Sequence, residues 1–130
     1  MNTTVVESLA ESVALAESLG VSPSDFLLAL EDSPIGVPSA RVRGEAMMKR
    51  DFPDTSFSIN LAHKDANLIL GAAREFKCEL PLTQATEQQL ARAPSMGLGA
   101  KDLAAVFLSL PCHRESTHHK QRSTGQTPLR

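Results

Sequence analysis

An all-α fold is predicted for this 130-residue chain by three features of its sequence. Apolar residues recur at three- and four-residue spacing, and no stretch alternates apolar with polar residues as a half-buried strand does. Aromatic residues make up only 4% and are all phenylalanine, so the core must come mostly from Leu, Ala, Val, Ile and Met, a mixture that favours helices. Capping residues and the breakers Gly and Pro punctuate the chain between its periodic segments. Together these predict a bundle of about five to six helices.

The first helix places Val6, Leu9, Val13 and Ala16 on one face and leaves Glu7, Glu11 and Ser18 off it. Thr3 or Thr4 can cap its start, and Gly20 stands where a C′ glycine stops a helix. Ser22 is a good N-cap for the second helix, with Pro23 at its first position and Asp25 able to return the capping bond. Phe26, Leu27 and Leu30 supply its apolar face, and the run from Asp32 to Pro38 ends it. Ser39 is placed to cap a third helix through Val42, Ala46 and Met47, which Asp51-Phe52-Pro53-Asp54 terminates.

The fourth segment, about residues 58–77, is the longest periodic run. Ile59, Ala62, Ala66, Ile69, Ala73 and Phe76 repeat at helical spacing, while Leu61, Leu68 and Leu70 widen the band. A helix so broadly apolar is expected at the centre of a bundle. Gly71 within it costs about 1 kcal/mol relative to Ala, which a close helix crossing would explain. Pro81 opens a fifth helix carrying Leu82, Ala85, Gln89 and Leu90, ended by Pro94 and Gly97-Leu98-Gly99. A last short helix, Lys101 to Leu110, stops at Pro111. Beyond it the text is polar and aperiodic, so one domain over residues 1–110 and a disordered tail over 111–130 are expected.

Net charge is −2, which excludes nucleic-acid or membrane binding through bulk charge. The tail is the basic part: Arg114, Lys120, Arg122 and Arg130 stand against Glu115, as a solvated end or as a patch for an acidic partner. Cys78 and Cys112 show no CxxC spacing, which suits a reduced, cytoplasmic compartment. Glu7, Glu11 and Glu17 interrupt the N-terminal stretch, so no signal peptide is expected, and no apolar run approaches the ~20 residues of a membrane span.

Most catalytic signatures are missing: the chain has no GxGxxG, no phosphate-binding GxxxxGK and no GxSxG. Gly97 and Gly99 follow a helix and read as a turn. His113, His118 and His119 lie near Cys112 and Glu115, but in the expected tail, where no ordered backbone holds tetrahedral geometry; no metal site is expected. His63 stands alone on the fourth helix and reads as a surface or satisfied histidine. Arg41, Arg43, Lys49 and Arg50 make the third helix basic, as a solvated face or a phosphate contact. Lys64-Asp65 interrupts the apolar run of the fourth helix. It is either a solvated charged pair or a cationic donor aimed into a cleft, able to bind a phosphate or a carboxamide. Asp65 would favour the charged ammonium or accept from backbone amides of a partner loop.

The run Phe52-Pro53-Asp54-Thr55-Ser56-Phe57-Ser58-Ile59-Asn60-Leu61-Ala62-His63-Lys64-Asp65 resembles a motif of the β-hydroxyacid dehydrogenases, the family that includes 3-hydroxyisobutyrate dehydrogenases, tartronate-semialdehyde reductases and related reductases. Ala10-Glu11-Ser12 with Leu15-Ala16 and Gly20, Glu79-Leu80-Pro81-Leu82, and Gly97-Leu98-Gly99-Ala100-Lys101-Asp102 with Ala105-Val106 are similar to further family motifs, in the family's order. The resemblance implies the all-α C-terminal, NAD-binding and dimerising domain of such an enzyme, which packs against a Rossmann domain with cofactor and substrate in the cleft between. By resemblance Lys64 approaches the nicotinamide end of NAD or NADP, Phe57 lies nearby, and Asp65 helps fix the geometry around Lys64. The family's acid–base lysine, its glycine loop and its substrate-binding motif have no counterpart here, so no catalytic residue carries over. The resemblance therefore implies a truncated domain, inactive alone, binding dinucleotide weakly or not at all without a Rossmann domain in cis or in trans. The alternative is a non-catalytic helical module for dimerisation or interaction. Substrate and the choice between NAD and NADP belong to the Rossmann half.

Overall fold

The computed structural model describes residues 2–34, 38–53, 55 and 57–111. These form five α-helices, α1 (Asn2–Ser18), α2 (Pro23–Glu31), α3 (Pro38–Lys49), α4 (Ile59–Glu75) and α5 (Pro81–Leu90), and two 3₁₀ segments, Ala93–Met96 and Leu103–Ser109. Among the described residues, strand-like character is confined to bridge positions at Ser58, Lys101 and Asp102, with Ser58 paired to Asp102. The all-α expectation holds. The tail beyond Pro111, with Cys112 and the three histidines, lies outside the described residues.

α1 is the pillar of the fold. It packs on α2, α3, α5 and the second 3₁₀ segment, burying Val6, Leu9, Ala10, Val13, Ala14 and Ala16. It begins at Asn2, so Thr3 and Thr4 lie inside the first turn and do not cap it. Gly20 ends it as expected, at φ 77°, with Val21 N–H donating to Ala16 O at 2.9 Å and Gly20 N–H to Glu17 O at 3.1 Å. Enclosure by several elements widens the buried arc of α1 enough to take in Glu7. Although expected on the polar face, Glu7 is only 5% exposed, and neither carboxylate oxygen has a hydrogen-bond partner.

α2 starts on Ser22, whose Oγ accepts from Asp25 N–H at 3.5 Å with Pro23 in the first turn. Its Leu27 packs against α3 at Gly44, where an added Cβ would come within 2.5 Å of Leu27 Cδ2. The close helix crossing is thus at Gly44; at Gly71 nothing lies within 4 Å of an added Cβ. Two further helices stop without glycine. Arg50 and Lys77 each take φ 53°, and Asp51 N–H and Cys78 N–H reach back to Ala46 O and Ala73 O at 3.2 and 2.8 Å.

α4 is not central, contrary to expectation. It packs chiefly on α5 and the two 3₁₀ segments, burying Ile59 and the small residues Ala62, Ala66 and Ala73. Leu68, Ile69 and Phe76 remain 63%, 48% and 82% exposed. The centre is filled instead by the expected short last helix, which is a 3₁₀ run whose residues Leu103 to Phe107 are all buried. An element apolar on every side has to be enclosed.

Candidate functional site

The segment leading into α4 is fastened before the helix begins. Phe52 is buried and Phe57 packs half-buried against the core. Ser58 has extended backbone, and its Oγ accepts from Leu61 N–H at 3.3 Å as an N-cap. Ile59 N–H donates to Lys101 O at 3.1 Å, Asn60 N–H to Gly99 O at 2.9 Å and Ala62 N–H to Ser58 O at 3.0 Å. Every amide of the first turn therefore has an acceptor, and this helix start offers no free N–H cradle to a phosphate. The backbone of the 99–102 loop comes close because Gly99 is buried against the Asn60 side chain, which an added Cβ would meet at 2.5 Å. Two motifs about forty residues apart in sequence are thereby joined: the run from Phe52 to Asp65 and the run from Gly97 to Asp102.

On the helix so anchored, Lys64 is exposed and Asp65 is half-buried. Adjacent helical positions point roughly 100° apart, and the two side chains form no ion pair with each other or with any described residue. Lys64 shares the outward face with Leu61, Leu68 and Gly71, at three- and four-residue steps. The opposite flank is pinned to α5 by His63, whose Nε2 lies 2.8 Å from Glu87 Oε1, so His63 is a satisfied histidine. Phe57 sits just before the cap and turns toward the core.

The basic residues of the third helix are engaged. Arg41 meets Glu31 and Glu45 at 3.3 Å, and Lys49 meets Glu45 at 3.3 Å. Hydrogen bonds from Arg41 and then Lys49 hold the exposed Glu45 carboxyl below its ordinary pKa. Arg50 meets Glu17 at 3.0 Å and lies over the Phe107 ring at 4.4 Å. Arg43, half-buried, faces Asp102 at 3.7 Å. A phosphate approaching this helix would have to displace carboxylates, whereas no carboxylate among the described residues pairs with Lys64.

An exposed ammonium with no ion pair among the described residues, as at Lys64, can donate to a carboxamide or phosphate oxygen. The pyrophosphate has no glycine-rich cradle anywhere in the sequence. Sequence reasoning overlooked three features. The Gly99–Asn60 contact and the Arg43–Asp102 pair carry no local signal. Glu7 was legible only as an acidic residue next to buried Val6; burial, then the neighbouring Glu11, pushes its carboxyl up from 4.5 to about 7. Among the described residues no helix is long and apolar enough to cross a membrane, and no three His, Cys, Asp or Glu side chains gather to hold a metal.

The arrangement of helices is that of a dehydrogenase helical domain. Superposition on 3-hydroxyisobutyrate dehydrogenase from Salmonella typhimurium gives a TM-score of 0.77 over 83% of this chain and 38% of that one. At 20% identity this likeness establishes the fold alone. Residues 1–110 match the family described as NAD-binding of NADP-dependent 3-hydroxyisobutyrate dehydrogenase, and the chain belongs to that family. Relatives include 2-(hydroxymethyl)glutarate dehydrogenase of Eubacterium barkeri, 34% identical over 77% of this chain and 33% of its own length. The cytokine-like nuclear factor N-PAC of Anopheles gambiae is 31% identical over 77% of this chain and 18% of its own. An uncharacterised oxidoreductase of Bacillus subtilis, YfjR, is 29% identical over 79% of this chain and 36% of its own. The chain therefore spans less than two-fifths of each of these proteins.

Proposed function

We propose that residues 1–110 are the C-terminal, cofactor-facing wall of an NAD(P)-dependent 3-hydroxyacid dehydrogenase of the 3-hydroxyisobutyrate type, working in the cytoplasm. Lys64 donates to the nicotinamide end of NAD or NADP, Phe57 flanks it, and Asp65 accepts from backbone amides of the loop that closes over the cofactor. The observation that carries this reading is the placement of Lys64: exposed, unpaired among the described residues, and projecting from a helix whose first turn is fully bonded. Burial in the chain's own core would have ended the proposal. A Rossmann domain, in the same polypeptide or in another, supplies the pyrophosphate site and the acid–base lysine. Proton transfer by such a group contributes about 10²–10⁴-fold to rate, so these 130 residues alone turn over no substrate.

The test is an NMR titration of the 130-residue chain with NADPH and with NADH. Weak, saturable shifts clustered at Phe57, Lys64 and Asp65, abolished by Lys64→Ala, are expected. Shifts centred elsewhere, or turnover of 3-hydroxyisobutyrate by the pure chain, would overturn the reading. A second reading, a non-catalytic helical module that dimerises, is favoured by the exposed Leu68 and Ile69 of α4 and Phe76 at its C-cap. It predicts a homodimer at micromolar concentration whose formation is lost in Leu68→Asp and indifferent to Lys64→Ala, as sedimentation would show.

A further inference from the structure

Arg43 and Asp102 form the least exposed ion pair among the described residues, with side chains 17% and 22% exposed. The proposed cofactor contact makes no direct use of either. Asp102 is a junction. Its N–H donates to Pro53 O at 2.9 Å, its carbonyl accepts from Ala105 N–H at 2.8 Å, and its Oδ1 accepts from Ala104 N–H at 2.9 Å. It bridges to Ser58, the cap of α4. The loop that ends at Asp102 supplies the carbonyls of Gly99 and Lys101 that hold Asn60 and Ile59. From α3, Arg43 Nε reaches Oδ1 at 3.7 Å, too far for a hydrogen bond, and that buried nitrogen has no other partner. The guanidinium therefore acts on Asp102 as a charge, in a setting where screening by water is weak.

We propose that Arg43 is a positioning residue. Its charge holds the Asp102 carboxylate at the junction of α3, the pre-α4 segment and the central 3₁₀ run. Through the 99–102 carbonyls it fixes the first turn of α4, and so the direction in which Lys64 projects about one and a half turns further on. The functional consequence rests on the reading of Lys64 as a cofactor donor; the geometrical claim does not.

The variants separate charge from packing. Arg43→Met keeps the aliphatic stem and removes the charge. Asp102→Asn keeps an oxygen for Ala104 N–H and removes the counter-charge. Arg43→Lys keeps the charge and serves if the Met variant does not fold. Amide hydrogen exchange is measured on the whole 130-residue chain. Exchange at Ile59 and Asn60 should speed up about tenfold in Arg43→Met and in Asp102→Asn, stay near the parent value in Arg43→Lys, and leave Val13 in α1 unchanged. The double variant Arg43→Met/Asp102→Asn should be no faster than either single one, since both remove the same interaction. Unchanged exchange at Ile59 and Asn60, or an equal rise at Val13, would overturn the proposal. These amides report on the positioning whether or not NADPH binds; a loss of Lys64-dependent NADPH shifts in Arg43→Met would add its functional arm.

Discussion

α1 and α4 are both 17 residues long and both amphipathic, yet they use their apolar residues in opposite ways. α1 is wrapped by α2, α3, α5 and the second 3₁₀ segment, so burial extends past its apolar stripe and encloses Glu7. α4 meets the rest of the chain along a narrow strip of Ile59 and alanines, while Leu68, near Lys64, and Ile69, beside the strip, stay exposed. The comparison teaches that periodicity reports which residues suit burial, while the number of neighbours decides which are buried. On α1 the neighbours exceed what the pattern implies; on α4 they fall short of it.

The largest expected effect tests this division within one helix. Ile59→Ala should cost about 2–5 kcal/mol, as deletions in a closed core do, while Leu68→Ala should stay within about 0.5 kcal/mol. Urea unfolding of the two variants checks both. Equal costs would mean that the outer face of α4 is covered in solution, and the contrast with α1 would fail.

Glu7 tests the crowded side. In the folded chain its carboxyl keeps its proton up to about 7, whereas the ordinary value is 4.5. Between those pH values the folded chain binds more protons than the unfolded one, so stability should fall as pH rises through the window. The total is on the order of 3 kcal/mol and levels off above it. Glu7→Gln should remove this component of the pH slope, seen as urea midpoints at about pH 5 and about pH 8 that draw together.

Two glycines give the smaller effects, of opposite sign. Gly44→Ala drives a Cβ to within 2.5 Å of Leu27 Cδ2 in the buried α2–α3 contact and should cost about 1–3 kcal/mol. Gly71→Ala meets nothing within 4 Å and should stabilise α4 by about 0.5–1 kcal/mol. Thermal melting of both variants sharpens the comparison, since an added Cβ at Gly71 points into open space and one at Gly44 does not.

Much of the fold was legible because its signals are local. Ser22 with Pro23, the stop at Gly20 and the apolar faces of α1 and α2 each rest on contacts within one or two turns of chain. The left-handed stops at Arg50 and Lys77 were not legible, since neither is a glycine and the conformation is imposed by the path the chain takes beyond each helix. Of the candidate site, the residue types at Phe57, Lys64 and Asp65 and the match to a family pattern were readable. The clasp between Gly99 and Asn60, and the pairing of Arg43 with Asp102, join positions far apart in sequence, and no periodicity encodes them.

By itself, then, the amino-acid order determined the helices, the cap at Ser22, the stop at Gly20 and the presence of a lysine on the amphipathic fourth helix, because these arise from spacing and side-chain chemistry over a few residues; the caps expected at Thr3 or Thr4 and at Ser39 fall inside their helices. Only the tertiary structure decided that α1 and the 3₁₀ run hold the centre, that Glu7 is enclosed, and that Lys64 projects outward from a fastened first turn. Those outcomes depend on how many elements crowd around each helix, a property of the assembled chain that no single segment carries.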